Sequence, residues 1–136
     1  GLTALLVGRS ELRLTPKEAL KVDEGVRDGL AWAQENWLQL LPASPNNSGY
    51  TLYGLERVGV LGGLRTIGGH DWYVEGAKSL IPAQKADGSW DGGYSSPIGT
   101  SFCLLFLTLG TREEYAKPSY RVDDFAPPPP KPQKAP

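Results

Sequence analysis

The chain has 136 residues, enough for one domain, and its formal net charge of -1 comes from 14 basic and 15 acidic residues interspersed along it. That balance makes no field to gather nucleic acid or an anionic membrane, and no run of about 18 apolar residues is present to span a bilayer. Cys103 is the single cysteine, which excludes an intrachain disulfide and a multi-cysteine zinc site.

The first helical pattern, Leu2 to about Leu12, carries Leu2, Leu5, Leu6 and Leu12. It opens directly at Gly1 in a chain without methionine, so a fragment is expected, with Gly1 as a cleavage scar. The second helix opens at Thr15-Pro16-Lys17-Glu18, a Thr cap with proline at the first helical position and Glu at the third. It runs to about Trp37, with Val22, Val26, Leu30, Ala33 and Trp37 on the buried face and Asp23, Arg27, Asp28, Gln34 and Glu35 on the wet one.

Prolines and short polar residues make 42–48 a loop, and its Asn46-Asn47-Ser48 matches a glycosylation acceptor. The third helix, about Gly49 to Leu61, is apolar on most sides, with Gly54 and Gly59 permitting close approach of a neighbour; Gly62-Gly63 ends it. The fourth runs from His70 or Asp71 to Gln84, burying Tyr73, Ala77, Leu80 and Ile81, and Pro82 bends its last turn. An Asp87-Gly88 turn leads to the fifth, which starts after Ser96-Pro97 and ends at Gly110.

The fifth helix is apolar on every side, which predicts that protein surrounds it. Apolar helices near 50–61 and 98–109 then form an inner layer, and amphipathic ones near 16–37 and 71–84 an outer layer, repeating at roughly 45 to 50 residues. The expected fold is all-α, with about five main helices as two-layer hairpins over residues 1–113. A Pro-rich extended tail follows over 114–136, where Asp123-Asp124 reads as a solvated pair.

The segment from Gly76 to Trp90, with Gln84, Asp87, Gly88 and Trp90 at its helix-to-helix bend, resembles the QW repeat of the terpenoid cyclases. The stretch Thr100 to Leu107 looks like the inner helix that follows that repeat, and Gly29 to Trp37 is a degenerate copy. The resemblance covers Leu2 to about Gly110 and implies part of an α/α toroid of the squalene-hopene cyclase and protein prenyltransferase superfamily. About two and a half hairpins are present, against about six in a closed ring. Gln84 and Trp90 are read as structural: the amide bonds free backbone groups at the bend and the indole covers the junction.

The family's Asp-x-Asp-Asp acid motif does not occur in this chain. Prenyltransferases hold zinc on Asp, Cys and His; Asp71, Cys103 and His70 are the right types, but their positions place them apart, so no metal and no cofactor are expected. Cys103 reads as a buried core thiol and His70-Asp71 as a helix cap. Toroids of this kind hold ligands near the loops before the inner helices, which nominates Tyr50, Tyr53, Asp91, Tyr94, Thr100 and Phe102 as cavity residues, each weighed against packing or a turn role. Aromatic faces there could stabilise a carbocation, and Asp91 could act as an acid or an acceptor. Related (α/α) barrels hydrolyse glycosides with two carboxylates, for which Asp87 with Asp91, or Asp71 with Glu75, are the pairs close in sequence.

These features imply a ligand- or partner-binding or scaffolding module without a complete catalytic site. Its partner would be an apolar small molecule or a protein, with self-association through the incomplete ring. The alternative is the C-terminal part of an isoprenoid cyclase or prenyltransferase whose acid or metal site lies upstream.

Overall fold

The structure, a computed structural model, describes residues 1–41, 48–91 and 95–109, apart from the side chains of 48 and 109. Helix α1 (Leu2–Glu11) and helix α2 (Pro16–Glu35) form an antiparallel hairpin. Thr15 starts α2 with a reciprocal cap: its hydroxyl accepts from the Glu18 N–H at 3.3 Å, and the Glu18 carboxylate accepts from the Thr15 N–H at 2.9 Å. Gly25 and Gly29 lie under Leu5 and Leu2 respectively, so the two helices run in opposite directions. Arg9 Nε donates to Asp23 at 2.8 Å farther along the seam.

The predicted run to Trp37 is not continuous. At Asn36 the side-chain amide donates to the Trp32 carbonyl at 2.9 Å, and the chain restarts as the single-turn helix α3 (Trp37–Leu40). Of the predicted buried face, Val26, Ala33 and Trp37 are in the core, and Val22 and Leu30 pack partly buried against it.

Helix α4 (Ser48–Gly62) is central, touching α1 and two later helices. It ends in a Schellman arrangement: Gly63 has φ +62°, its N–H reaches the Val60 carbonyl at 3.2 Å, and the Leu64 N–H reaches the Gly59 carbonyl at 2.8 Å. Then comes a short hairpin absent from the sequence expectation, β1 (Thr66–Ile67) against β2 (His70–Asp71), with Ile67 opposite His70. Gly68 and Gly69 form its two-residue loop with φ +60° and +86°, a geometry that favours the Gly-Gly pair.

Helix α5 (Trp72–Leu80) is capped by Asp71, whose carboxylate accepts from the Val74 N–H at 3.0 Å. At Pro82 it tightens into a 3-10 turn over Ile81–Ala83. This turn departs from the α-helical phase and leaves Ile81 exposed, a correction to the expected buried position. The last helix described, α6 (Ser96–Leu109), follows the Asp-Gly turn.

Glycines set the spacing of the core. Gly59 on α4 receives the ring of Trp72, and Gly76 on α5 receives Leu52 and Phe106. Tyr73 on α5 stacks on Phe106 at 5.6 Å and donates from its hydroxyl to the Leu107 carbonyl at 3.0 Å. Helix α5 is therefore antiparallel to both α4 and α6, so those two run in the same direction; they meet where Gly49 lies against Gly99, Phe102 and Cys103. Gly54, expected to admit a neighbour, faces open space instead.

The described residues are all-α apart from the two short strands of the hairpin, as expected. Helix α6 is not enclosed, however. Gly99, Cys103 and Phe106 are buried, while Ile98, Leu104 and Leu105 are 40–48% exposed; among the described residues α4, α5 and the Trp90 segment cover one side of it. Among the described residues no helix is long and apolar enough to cross a membrane. The loop with Asn46-Asn47-Ser48, the boundary at 113, Asp123-Asp124 and the Pro-rich tail lie outside the described residues, save that Ser48 begins α4.

Candidate functional site

The bend between α5 and α6 is built from the motif residues. Gln84 Nε2 donates to the Gly88 carbonyl at 3.0 Å, and Gly88 turns the chain at φ +84°. Asp87 accepts from the Ser89 N–H at 3.0 Å and its hydroxyl at 2.7 Å, which lowers the carboxyl below its ordinary value. Trp90 is buried and donates from Nε1 to the Leu80 carbonyl at 2.8 Å, closing the end of α5. All these groups serve the turn.

The nominated cavity residues divide. Tyr50, Tyr53 and Phe102 converge: Phe102 lies 5.4 Å from each tyrosine ring, edge-on to Tyr50 and tilted to Tyr53. Thr100 instead accepts from the Trp90 N–H at 3.0 Å, and the exposed Asp91 pairs with Lys85. Tyr94 lies outside the described residues. Cys103 is fully buried, which pushes its thiol up to about 11. Among the described residues no group of three His, Cys, Asp or Glu side chains comes together to hold a metal ion.

Beside the aromatic trio lies a pair that the sequence reading passed over. Glu56 is fully buried in the middle of α4, and the next residue, Arg57, grips its carboxylate at both oxygens, Nε to Oε2 at 2.6 Å and Nη2 to Oε1 at 2.5 Å. The Arg57 guanidinium also lies 5.5 Å from the Tyr53 ring centre. A fork on a carboxylate offsets the cost of burying it. The signal available was two adjacent opposite charges inside an otherwise apolar helix.

A second unpredicted cluster joins three elements. The Trp37 indole stacks on the His70 ring, 4.6 Å apart and 13° from parallel. Glu75 accepts the Trp37 Nε1–H on one oxygen at 2.8 Å and meets His70 Nδ1 with the other at 3.1 Å. His70 and Glu75 are 40% and 34% exposed, so solvent reaches both. The four carboxylates close in sequence thus have separate partners: Asp71 caps α5, Glu75 bridges Trp37 and His70, Asp87 holds Ser89, and Asp91 pairs with Lys85.

One open space among the described residues is lined by none of the nominated residues. A cavity of about 360 Å³ opens between α1, α2, α3, α4 and the hairpin. Leu2, Ala33, Leu40, Leu55, Val58 and Ile67 make apolar walls; Gly54 leaves room on the α4 side, and Trp32, 53% exposed, stands at the rim. Thr3 and Thr51 bring the only hydroxyls among the lining residues, and none of the lining residues is ionisable. Such a space accepts hydrocarbon and rejects a charge. Its lining comes from five elements, so no single stretch of sequence points to it.

Comparison with protein-family models, with curated proteins and with solved structures finds no match to this chain.

Proposed function

We propose that this chain is a binding module for an uncharged apolar molecule, built from helical hairpins of the terpenoid-cyclase-like kind and lacking a complete catalytic site of its own. The apolar cavity of about 360 Å³ with its rim tryptophan carries the reading. Its size lies at the small end of ligand pockets, and burial of hydrocarbon against leucine, valine and isoleucine walls would supply the affinity. The packing order, α1 beside α4 beside α6 with α2 against α1 and α5 against α4, supports the part-toroid interpretation.

Titration with farnesol, an uncharged prenyl alcohol, followed by tryptophan fluorescence, tests the reading. Binding is expected to perturb Trp32, and Trp32→Phe removes that signal without abolishing binding. Gly54→Leu fills the cavity and abolishes binding while helix content is retained. Equal affinity in Gly54→Leu, or no saturable binding to the unaltered chain, would defeat the proposal.

A second reading, part of an isoprenoid cyclase or prenyltransferase completed by residues outside this chain, draws on the Tyr50, Tyr53 and Phe102 rings. Their π faces suit a developing cation. Protection of those rings from photo-oxidation by a cationic analogue of a cyclisation intermediate would favour it over the cavity.

A further inference from the structure

The cavity and the Trp37-Glu75-His70 cluster share two walls. Ile67 lines the cavity, and its partner across the hairpin ladder is His70. Leu40 also lines it, and Trp37 lies one turn earlier in the same short helix. The Glu75 carboxylate therefore holds both walls at once, the hairpin through His70 at 3.1 Å and α3 through Trp37 at 2.8 Å. The hairpin is further pinned at its tip, where Gly68 lies against the Gln34 backbone and side chain.

We infer that Glu75 is a positioning residue for the apolar cavity, and that proton uptake by His70 tightens the hold of Glu75 on its hairpin wall. The inference rests on the ligand-binding reading only for its effect on affinity; the coupling of the walls stands on the geometry. Protonated imidazole adds a charge to the existing Nδ1 contact, so the ion pair strengthens on acidification. The charged residues nearest the cluster along the chain are Glu35 at the end of α2, Arg65 before the hairpin and Asp71 within it as a 4.0 Å pair, and Glu75 and Lys78 on α5; α3 has none, and α2 and α4 carry others along their length. Among the described residues, Glu75 is the charged group paired with the imidazole.

The experiment is an NMR titration of the ligand-free chain from mildly alkaline to mildly acidic pH. The Ile67 and Leu40 methyl resonances are expected to shift with the same midpoint as the His70 ring. Farnesol affinity should rise about two- to fivefold on the acid side, the range of a part-exposed ion pair. His70→Phe keeps a ring against Trp37 but removes both pH responses. Glu75→Gln keeps an acceptor for Trp37 and uncouples the methyl groups from His70. Methyl resonances that ignore the imidazole, or a Glu75→Gln chain that titrates as the original does, overturn the inference. If farnesol fails to bind at any pH while the methyl groups still follow His70, the ligand reading falls and the coupling stands. If farnesol binds equally across the range and the methyl groups stay put, the coupling falls alone.

Discussion

Gly59 on α4 lies directly beneath the indole of Trp72, so close that an added Cβ would come within 2.6 Å of the ring nitrogen. The ring has nowhere to retreat, because that nitrogen donates to the Leu64 carbonyl at 2.6 Å and Tyr73 and Phe106 meet it edge-on. Gly59→Ala is therefore expected to destabilise the fold by about 2–3 kcal/mol despite alanine's better helix propensity. Gly54→Ala, on the same helix but facing open space, should stabilise it by about 0.5–1 kcal/mol. Urea unfolding of the pair measures both, and equal signs would contradict the packing described.

The Glu56-Arg57 fork predicts a strong asymmetry. Arg57→Leu strands a fully buried carboxylate and should cost about 3 kcal/mol, whereas Glu56→Leu with Arg57→Leu leaves no uncompensated charge and should cost less than the single change. A double-mutant cycle on denaturant midpoints reads the difference.

Two exposed hydrogen-bonded carboxylates, one in a helix cap and one in a turn, make the chain sensitive to acid. Hydrogen bonds from Thr15 hold the Glu18 carboxyl below its ordinary 4.5, and those from Ser89 hold Asp87 below 3.8. Groups lowered by folding stabilise fully above those ordinary values, and the contribution is lost as pH falls through the folded ones. Thr15→Val and Ser89→Ala are expected to flatten the decline of Tm below about pH 5. An unchanged acid limb in the double variant would contradict the assignment.

Cys103 acts at the other end of the scale. Burial raises its thiol from 9.0 to about 11, so the folded chain keeps a proton that the unfolded chain releases. Stability is fully present below about pH 9 and falls as pH rises toward 11. At neutral pH a disulfide reagent should label Cys103 only at the rate of unfolding, which a urea series with thiol labelling checks.

The main helices were legible because local chemistry and periodicity agreed. Thr15, Pro16 and Glu18 announced α2, and the start of α6 showed in Ser96-Pro97. The hairpin escaped notice because its strands are two residues each, too short for alternation; the sign was Gly68-Gly69 between Ile67 and His70. The break at Asn36 depends on a side chain competing for the backbone, a choice that periodicity does not record. Apolar composition overstated the enclosure of α6, since it measures what a helix would prefer and not what lies beside it. The cavity follows from the packing of four helices and the hairpin, and each contributes residues unremarkable alone.

The uncovered flank of α6 has a practical corollary. Ile98, Leu104 and Leu105 turned to solvent give this nearly neutral chain a greasy stripe that ammonium sulfate will make stickier. Retention on a phenyl resin should exceed that of a Leu104→Lys, Leu105→Glu variant by a wide margin, and foaming or adsorption to glass should diminish with it.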